Sequence, residues 1–113
     1  MKWRDRIQDY DDDTITVVNI SIDMLVRYFG HTMSTAEDTM DRFFADYGEY
    51  YDEDFIHHES AYRFAAIAHY LSNLNGSRER VGEWLQDSGH AHSPGEANDY
   101  FWKKYYDSNG ETT

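Results

Sequence analysis

The 113-residue sequence contains no cysteine. Disulfides, thiolate metal ligands and cysteine nucleophiles are therefore excluded. The chain suits a reducing compartment, and a cytoplasmic location is the expectation. Proline occurs once, at Pro94, so there is no proline-rich linker. Glycine-rich phosphate loops are missing too. Neither GxGxxG nor the P-loop pattern occurs, so nucleotides have no binding motif and no cofactor is expected. No apolar run approaches the ~18 residues that would suggest a membrane span. Met1 to Asp13 carries charges and no apolar stretch of the kind a secretory signal needs.

Bases are also scarce. Ten Lys and Arg stand against 22 Asp and Glu, a formal net charge of −12. Direct nucleic-acid binding needs a basic surface and is disfavoured. Attraction to anionic membranes is disfavoured for the same reason. The imbalance is uneven: residues 1–59 carry 15 acids and five bases, net −10, while residues 60–113 carry seven and five, net −2. A basic protein is the partner such a charge favours.

Aromatics are abundant, with ten Tyr, six Phe and three Trp in a chain that is 40% hydrophobic. That is too apolar for a disordered segment despite the charge. The length fits one domain, 1–113, able to bury roughly two-thirds of the surface its unfolded form exposes.

Apolar spacing gives an all-α plan, a compact single-domain bundle of about five helices. Trp3, Ile7 and Tyr10 suit a short helix over 2–9. Thr14 to Val18 is β-branched and partly alternating, as a strand would be. No partner strand is evident, however, so the helix whose face is Ile22, Leu25, Val26 and Phe29 is extended back toward Val17, with Asn19 or Ser21 as candidate caps and Gly30 as its end. Ser34-Thr35-Ala36-Glu37 has the form of a capping box for a second helix ending at Gly48. Asp52 is expected to cap one long helix reaching Asn73 or Leu74, with Gly76 following it. Apolar on several sides, that helix is the expected centre of the bundle. A fourth helix spans Arg78 to Asp87. A fifth starts at Ser93-Pro94-Gly95-Glu96, a capping box with proline in the first turn, and fades after Asp107, leaving 108–113 as a frayed tail.

The densest chemical feature is the acidic tract. Glu37, Asp38, Asp41, Asp46, Glu49, Asp52, Glu53 and Asp54 are interleaved with Tyr47, Tyr50 and Tyr51 and accompanied by Arg42 alone. On a helix, residues three and four apart sit ~5–6 Å from one another, close to the spacing of phosphates along a nucleic-acid strand. Tyrosine supplies contact area and carboxylates steer association. The expected partner-binding residues are thus Glu37, Asp38, Asp41, Asp46, Glu49, Tyr50, Tyr51, Asp52, Glu53 and Asp54. The bland reading is a solvated face that keeps the protein soluble or suits a salt-adapted host.

A second constellation is histidine-rich. His57 and His58 could share a helix face with Asp54, and His90 and His92 could complete a metal site. The pattern matches no zinc-hydrolase motif. His58, Glu59, Ser60 and Tyr62 have catalytic residue types, but consecutive helical residues do not face one another. A helix-turn-helix outline over 19–47 would present Glu37, Asp38 and Asp41 to phosphate, which is repulsive. The aromatic stripe Tyr100 to Tyr106 reads as core plus two solvated lysines, Lys103 and Lys104.

The functional expectation is a small acidic, non-enzymatic inhibitor. Its acidic, Tyr-bearing surface would dock on the basic, nucleic-acid-binding groove of a partner protein and act by occupancy. In composition the chain is similar to phage-borne anti-restriction and anti-CRISPR inhibitors, a likeness of size and charge that no motif carries. An immunity protein or antitoxin neutralising a cationic toxin uses the same physics. A small metal-dependent enzyme using the histidines and carboxylates is the alternative from another class.

Overall fold

In the computed structural model, residues 2–108 are described. Seven α-helices and one 3-10 turn follow in order: α1 (Trp3–Arg6), α2 (Asp12–Tyr28), α3 (Met33–Tyr47), α4 (Glu53–His58), α5 (Ala61–Asn73), the 3-10 turn (Arg78–Arg80), α6 (Val81–Ser88) and α7 (Gly95–Ser108). The all-α reading holds, and no strand occurs among the described residues. Most of the expected tail, residues 109–113, lies outside them.

The β-branched segment at 14–18 is helical. Asp11 stands at the N-cap position and Asp12 and Asp13 occupy the first turn, where negative charge is favourable. Ordinary residues cost at most ~0.7 kcal/mol each in a helix relative to alanine. Burying a Val or Ile side chain returns ~1.5–3 kcal/mol. Thr14, Val17, Val18, Ile20, Ile22, Met24 and Leu25 are all buried, so tertiary packing overrides local preference. The caps proposed at Asn19 and Ser21 are accordingly interior positions, and the Ser21 hydroxyl donates to the Val17 carbonyl at 2.8 Å. Gly30, at φ +77°, closes the helix, with the His31 amide reaching back to the Leu25 carbonyl.

The second helix begins two residues earlier than expected. Thr32 is its cap. The Thr32 hydroxyl accepts from the Thr35 amide, and the Thr35 hydroxyl accepts from the Thr32 amide. Ser34 is an exposed residue inside α3. The reciprocal box exists, then, with threonine where glutamate was expected, and Glu37 is released for another task.

The long helix predicted over 52–74 is broken into α4 and α5. Asp52 caps α4 through the Phe55 amide, as expected. Glu59 then turns extended, and Ser60 starts a new cap by accepting from the Arg63 amide. Glu59 accepts from the Ser60 amide at 3.0 Å and forms an ion pair with Arg63 at 3.1 Å, although the buried Arg63 Nε makes no hydrogen bond among the described residues. At the far end the left-handed residue is Asn75, at φ 55°, and Gly76 lies directly against the Tyr70 ring, where no side chain fits.

The centre is shared by α2 and α5, which make the most extensive contact. Around this pair lie α3, α4, α6 and α7. Ala65, Ala66 and Ala68 are fully buried and let the neighbouring helices approach. Phe43, Phe44 and Phe64 fill the space between α3 and α5, with edge contacts near 5.3 Å. Short α1 docks on α3, carrying Trp3 (1% exposed) and Ile7 into the core. No helix among the described residues is long and apolar enough to cross a membrane.

Candidate functional site

The acidic tract resolves into carboxylates with different duties. Glu37 accepts from the Trp3 indole N–H at 2.7 Å, and Asp41 accepts from the Trp3 amide at 2.7 Å with Lys2 3.6 Å away. Both therefore hold α1 against α3. Glu53 accepts from the Asp11 amide at 2.7 Å and ties the start of α2 to α4. Asp52 is a cap, Asp38 pairs with Arg42 at 2.9 Å, and Asp54 lies 3.5 Å from His58. Asp46 and Glu49 are exposed and make no hydrogen bond or ion pair among the described residues. The two tyrosines also separate. Tyr50 is 50% exposed and Arg78 stacks on it at 3.6 Å. Tyr51 is buried between Phe43 and Phe55, at 5.4 and 5.0 Å, so this expected contact residue belongs to the core.

Two shallow recesses beside α1 and a third where the start of α2 meets α4 bring the carboxylates together. The first is formed by Lys2, Asp5, Asp41, Arg42 and Ala45. The second shares Ala45 and adds Arg6, Tyr10, Asp46 and Glu49. The third holds Asp11, Asp52, Glu53, Asp54 and His57. Tyr10 lines the second recess, within the electrostatic reach of Glu53 and Asp52 in the third. Its burial, and the charges of Glu53 and Asp52 beside it, push its phenol pKa upward. The band carries eight carboxylates, Asp5, Asp11, Asp41, Asp46, Glu49, Asp52, Glu53 and Asp54, against three cations, Lys2, Arg6 and Arg42. Asp5 and Asp11 were absent from the expected site. Trp3 and Ile7 at i, i+4 were the sequence signal that α1 docks and brings Asp5 with it.

The histidines divide as well. His57 and His58 flank a cavity of about 340 Å³ between α2, the α4–α5 corner and α7, lined by apolar groups including Val17, Met24 and Phe101. His57 Nδ1 lies 3.4 Å from the Thr14 hydroxyl, and His58 Nδ1 contacts the Asp54 carbonyl at 2.9 Å. His90 sits elsewhere, bonded through Nδ1 to the Tyr62 hydroxyl at 2.7 Å and packed on Phe29 and Trp84. His92 follows in the same α6–α7 link. Among the described residues no three His, Asp or Glu side chains gather closely enough to hold a metal ion.

Of the catalytic types, Ser60 caps α5 and meets the Ser93 hydroxyl at 3.2 Å, while Glu59 serves the same cap. Along α7 the aromatic stripe is split. Tyr100, Phe101 and Tyr105 pack inward, whereas Trp102 (51% exposed) and Tyr106 stack on each other at 5.6 Å outside. Two contacts unremarked in sequence are the pairing of His31 with His69, at 2.9 Å between ring nitrogens, and the bond from the Tyr100 hydroxyl to Asp23 at 3.1 Å.

No protein-family model matches this sequence, and comparison with curated proteins and with solved structures finds no match.

Proposed function

We propose that this protein is a non-enzymatic acidic binding module whose face around α1 docks on a basic groove of a partner protein, of the kind that otherwise holds a nucleic acid. The observation that carries the reading is the set of eight carboxylates against three cations in these three recesses, two of which share Ala45 while Tyr10 of the second feels the charges of Glu53 and Asp52 in the third. Charge gathered on one face focuses the field, accelerates encounter with an opposite charge and disfavours like-charged partners. Tyr50, exposed near the rim and stacked under Arg78, supplies aromatic contact area. Occupying such a groove would exclude the nucleic acid.

Fold-holding carboxylates must be kept apart from those available to a partner. Asp5, Asp46 and Glu49 form no hydrogen bond or ion pair through their side chains among the described residues, so neutralising them leaves the tethers intact. The test is displacement of labelled duplex DNA from a panel of basic DNA-binding proteins, at low and high salt. Wild type is expected to release DNA from a subset of the panel, less effectively as salt rises. The D5N/D46N/E49Q triple variant should release less while melting as wild type does. Equal displacement by the triple variant, or displacement insensitive to salt, would remove the electrostatic mechanism.

A further inference from the structure

We propose that the His31–His69 contact is a single-proton latch that holds the α2–α3 connection against α5 at neutral pH and lets go in mild acid. His31 Nε2 and His69 Nδ1 are 2.9 Å apart, so exactly one of the two nitrogens carries a hydrogen in a bonded pair. The neighbouring amide fixes what surrounds them. Arg42 can only donate, and it donates to Asn73 Oδ1 at 2.9 Å. Asn73 therefore turns its NH₂ toward Thr39 Oγ1 at 3.1 Å and toward the ring nitrogens of His69 and His31, at 3.3 and 3.4 Å. With one proton between the rings, this arrangement is satisfied.

With two protons it is not. Two imidazolium N–H groups would point at each other beside a third donor, with no acceptor between them. The charged and titratable groups facing the pair add to the cost. From α3 comes Arg42, whose guanidinium is also bonded to Asp38 at 2.9 Å. Thr35 and Thr39 of the same helix are neutral; the Thr35 hydroxyl lies 3.2 Å from His31 Nδ1. From the α6–α7 link comes His90, a third ring that could become cationic. From the α2 end comes Phe29, which packs on His69 at 5.3 Å and on His90 at 4.9 Å. Burial holds all three imidazole pKa values below the ordinary value; His31 and His90 lower His69 further, while for His31 a backbone hydrogen bond with Thr35 works the other way and Arg42 adds to the lowering.

The sign follows from linkage. Groups whose folded-state pKa is depressed bind more protons when unfolded, so this stabilisation is complete above the free histidine value near ~6.5 and is lost as pH falls below it. Each proton the folded state refuses raises the opening constant up to about tenfold per pH unit. Opening frees the His31 amide from the Leu25 carbonyl and releases Phe29 from its ring contacts.

The experiment is an NMR titration of the imidazole nitrogens in the full chain, with hydrogen exchange of the His31 amide, from about pH 7.5 to about pH 5. The expected result is one shared proton between the facing nitrogens while the pair takes up at most one added proton, with uptake of the second coinciding with loss of amide protection. His31→Gln keeps a polar partner for His69 but removes one titrating ring. Its unfolding constant should therefore rise less steeply with acid, by up to tenfold per pH unit. Independent titration of both rings near ~6.5 with the amide still protected would overturn the latch. The wild-type titration decides the matter even if the variant does not fold.

Discussion

Replacing Glu37 by alanine isolates what one carboxylate of the acidic tract does for the fold. Trp3 is 1% exposed, and its indole N–H donates to Glu37 Oε2 at 2.7 Å. A hydrogen bond to a charged group contributes about 1.5–3 kcal/mol. The site is only partly buried, so water can recover some of that loss, and about 2 kcal/mol is the reasoned cost. For a domain of this size that is about 8 °C in melting temperature, at about 4 °C per kcal/mol. Glu37→Gln keeps an acceptor but loses the charge, which roughly halves the bond and predicts about 1 kcal/mol. The assay is urea unfolding followed by circular dichroism, with tryptophan emission reporting whether the indole becomes hydrated. D46N/E49Q is the internal control and should lie within about 0.5 kcal/mol of wild type, as surface changes do. Equal midpoints for E37A and D46N/E49Q would refute the assignment of Glu37 as a tether, and with it the division of the tract into structural and available carboxylates.

Three further outcomes follow from packing and capping. Thr32→Ala should cost about 1 kcal/mol in urea unfolding through the lost cap, whereas Ser34→Ala should stay within about 0.5 kcal/mol; the reverse order would place the start of α3 at Ser34. Ala66→Asp puts an unpaired charge at a position that is 0% exposed and should abolish the cooperative melt. A wild-type-like transition would mean the residue is not in the core. Gly76→Ala brings a Cβ onto the Tyr70 ring and should destabilise by about 1–3 kcal/mol. An unchanged melting temperature would show that the ring gives way freely.

Helix existence was legible because apolar residues recur at helical spacing in every long element, and the buried faces of α3 and α5 are the ones that spacing selects. Boundaries were less legible, for a specific reason at each place. At 14–18 the local preference for strand is weak compared with the burial of Thr14, Val17 and Val18, and only tertiary packing reveals which wins. At Ser34 two overlapping cap patterns compete, and Thr32 wins by its reciprocal bond with Thr35. At Glu59-Ser60 the apolar pattern runs straight through the break, because two extended residues, the second a serine cap, are enough to re-aim the helix.

The candidate site exposes a sharper limit on reading charge from sequence. A count of carboxylates treats Glu37, Asp41 and Glu53 as equivalent to Asp46 and Glu49. The first three accept from Trp3 and Asp11, residues more than thirty positions away in the chain. Charge that looks dedicated to a partner is thus partly needed to bring α1 and the start of α2 into place. The two duties are not exclusive, because the same docking of α1 carries Asp5 beside Asp41 and Arg6 beside Asp46. Removing a tether should then weaken partner binding indirectly, by loosening α1, while removing Asp46 or Glu49 should weaken it with stability unchanged. A partner assay that ranks variants by binding at matched stability separates the two contributions, and only the second measures the acidic face itself.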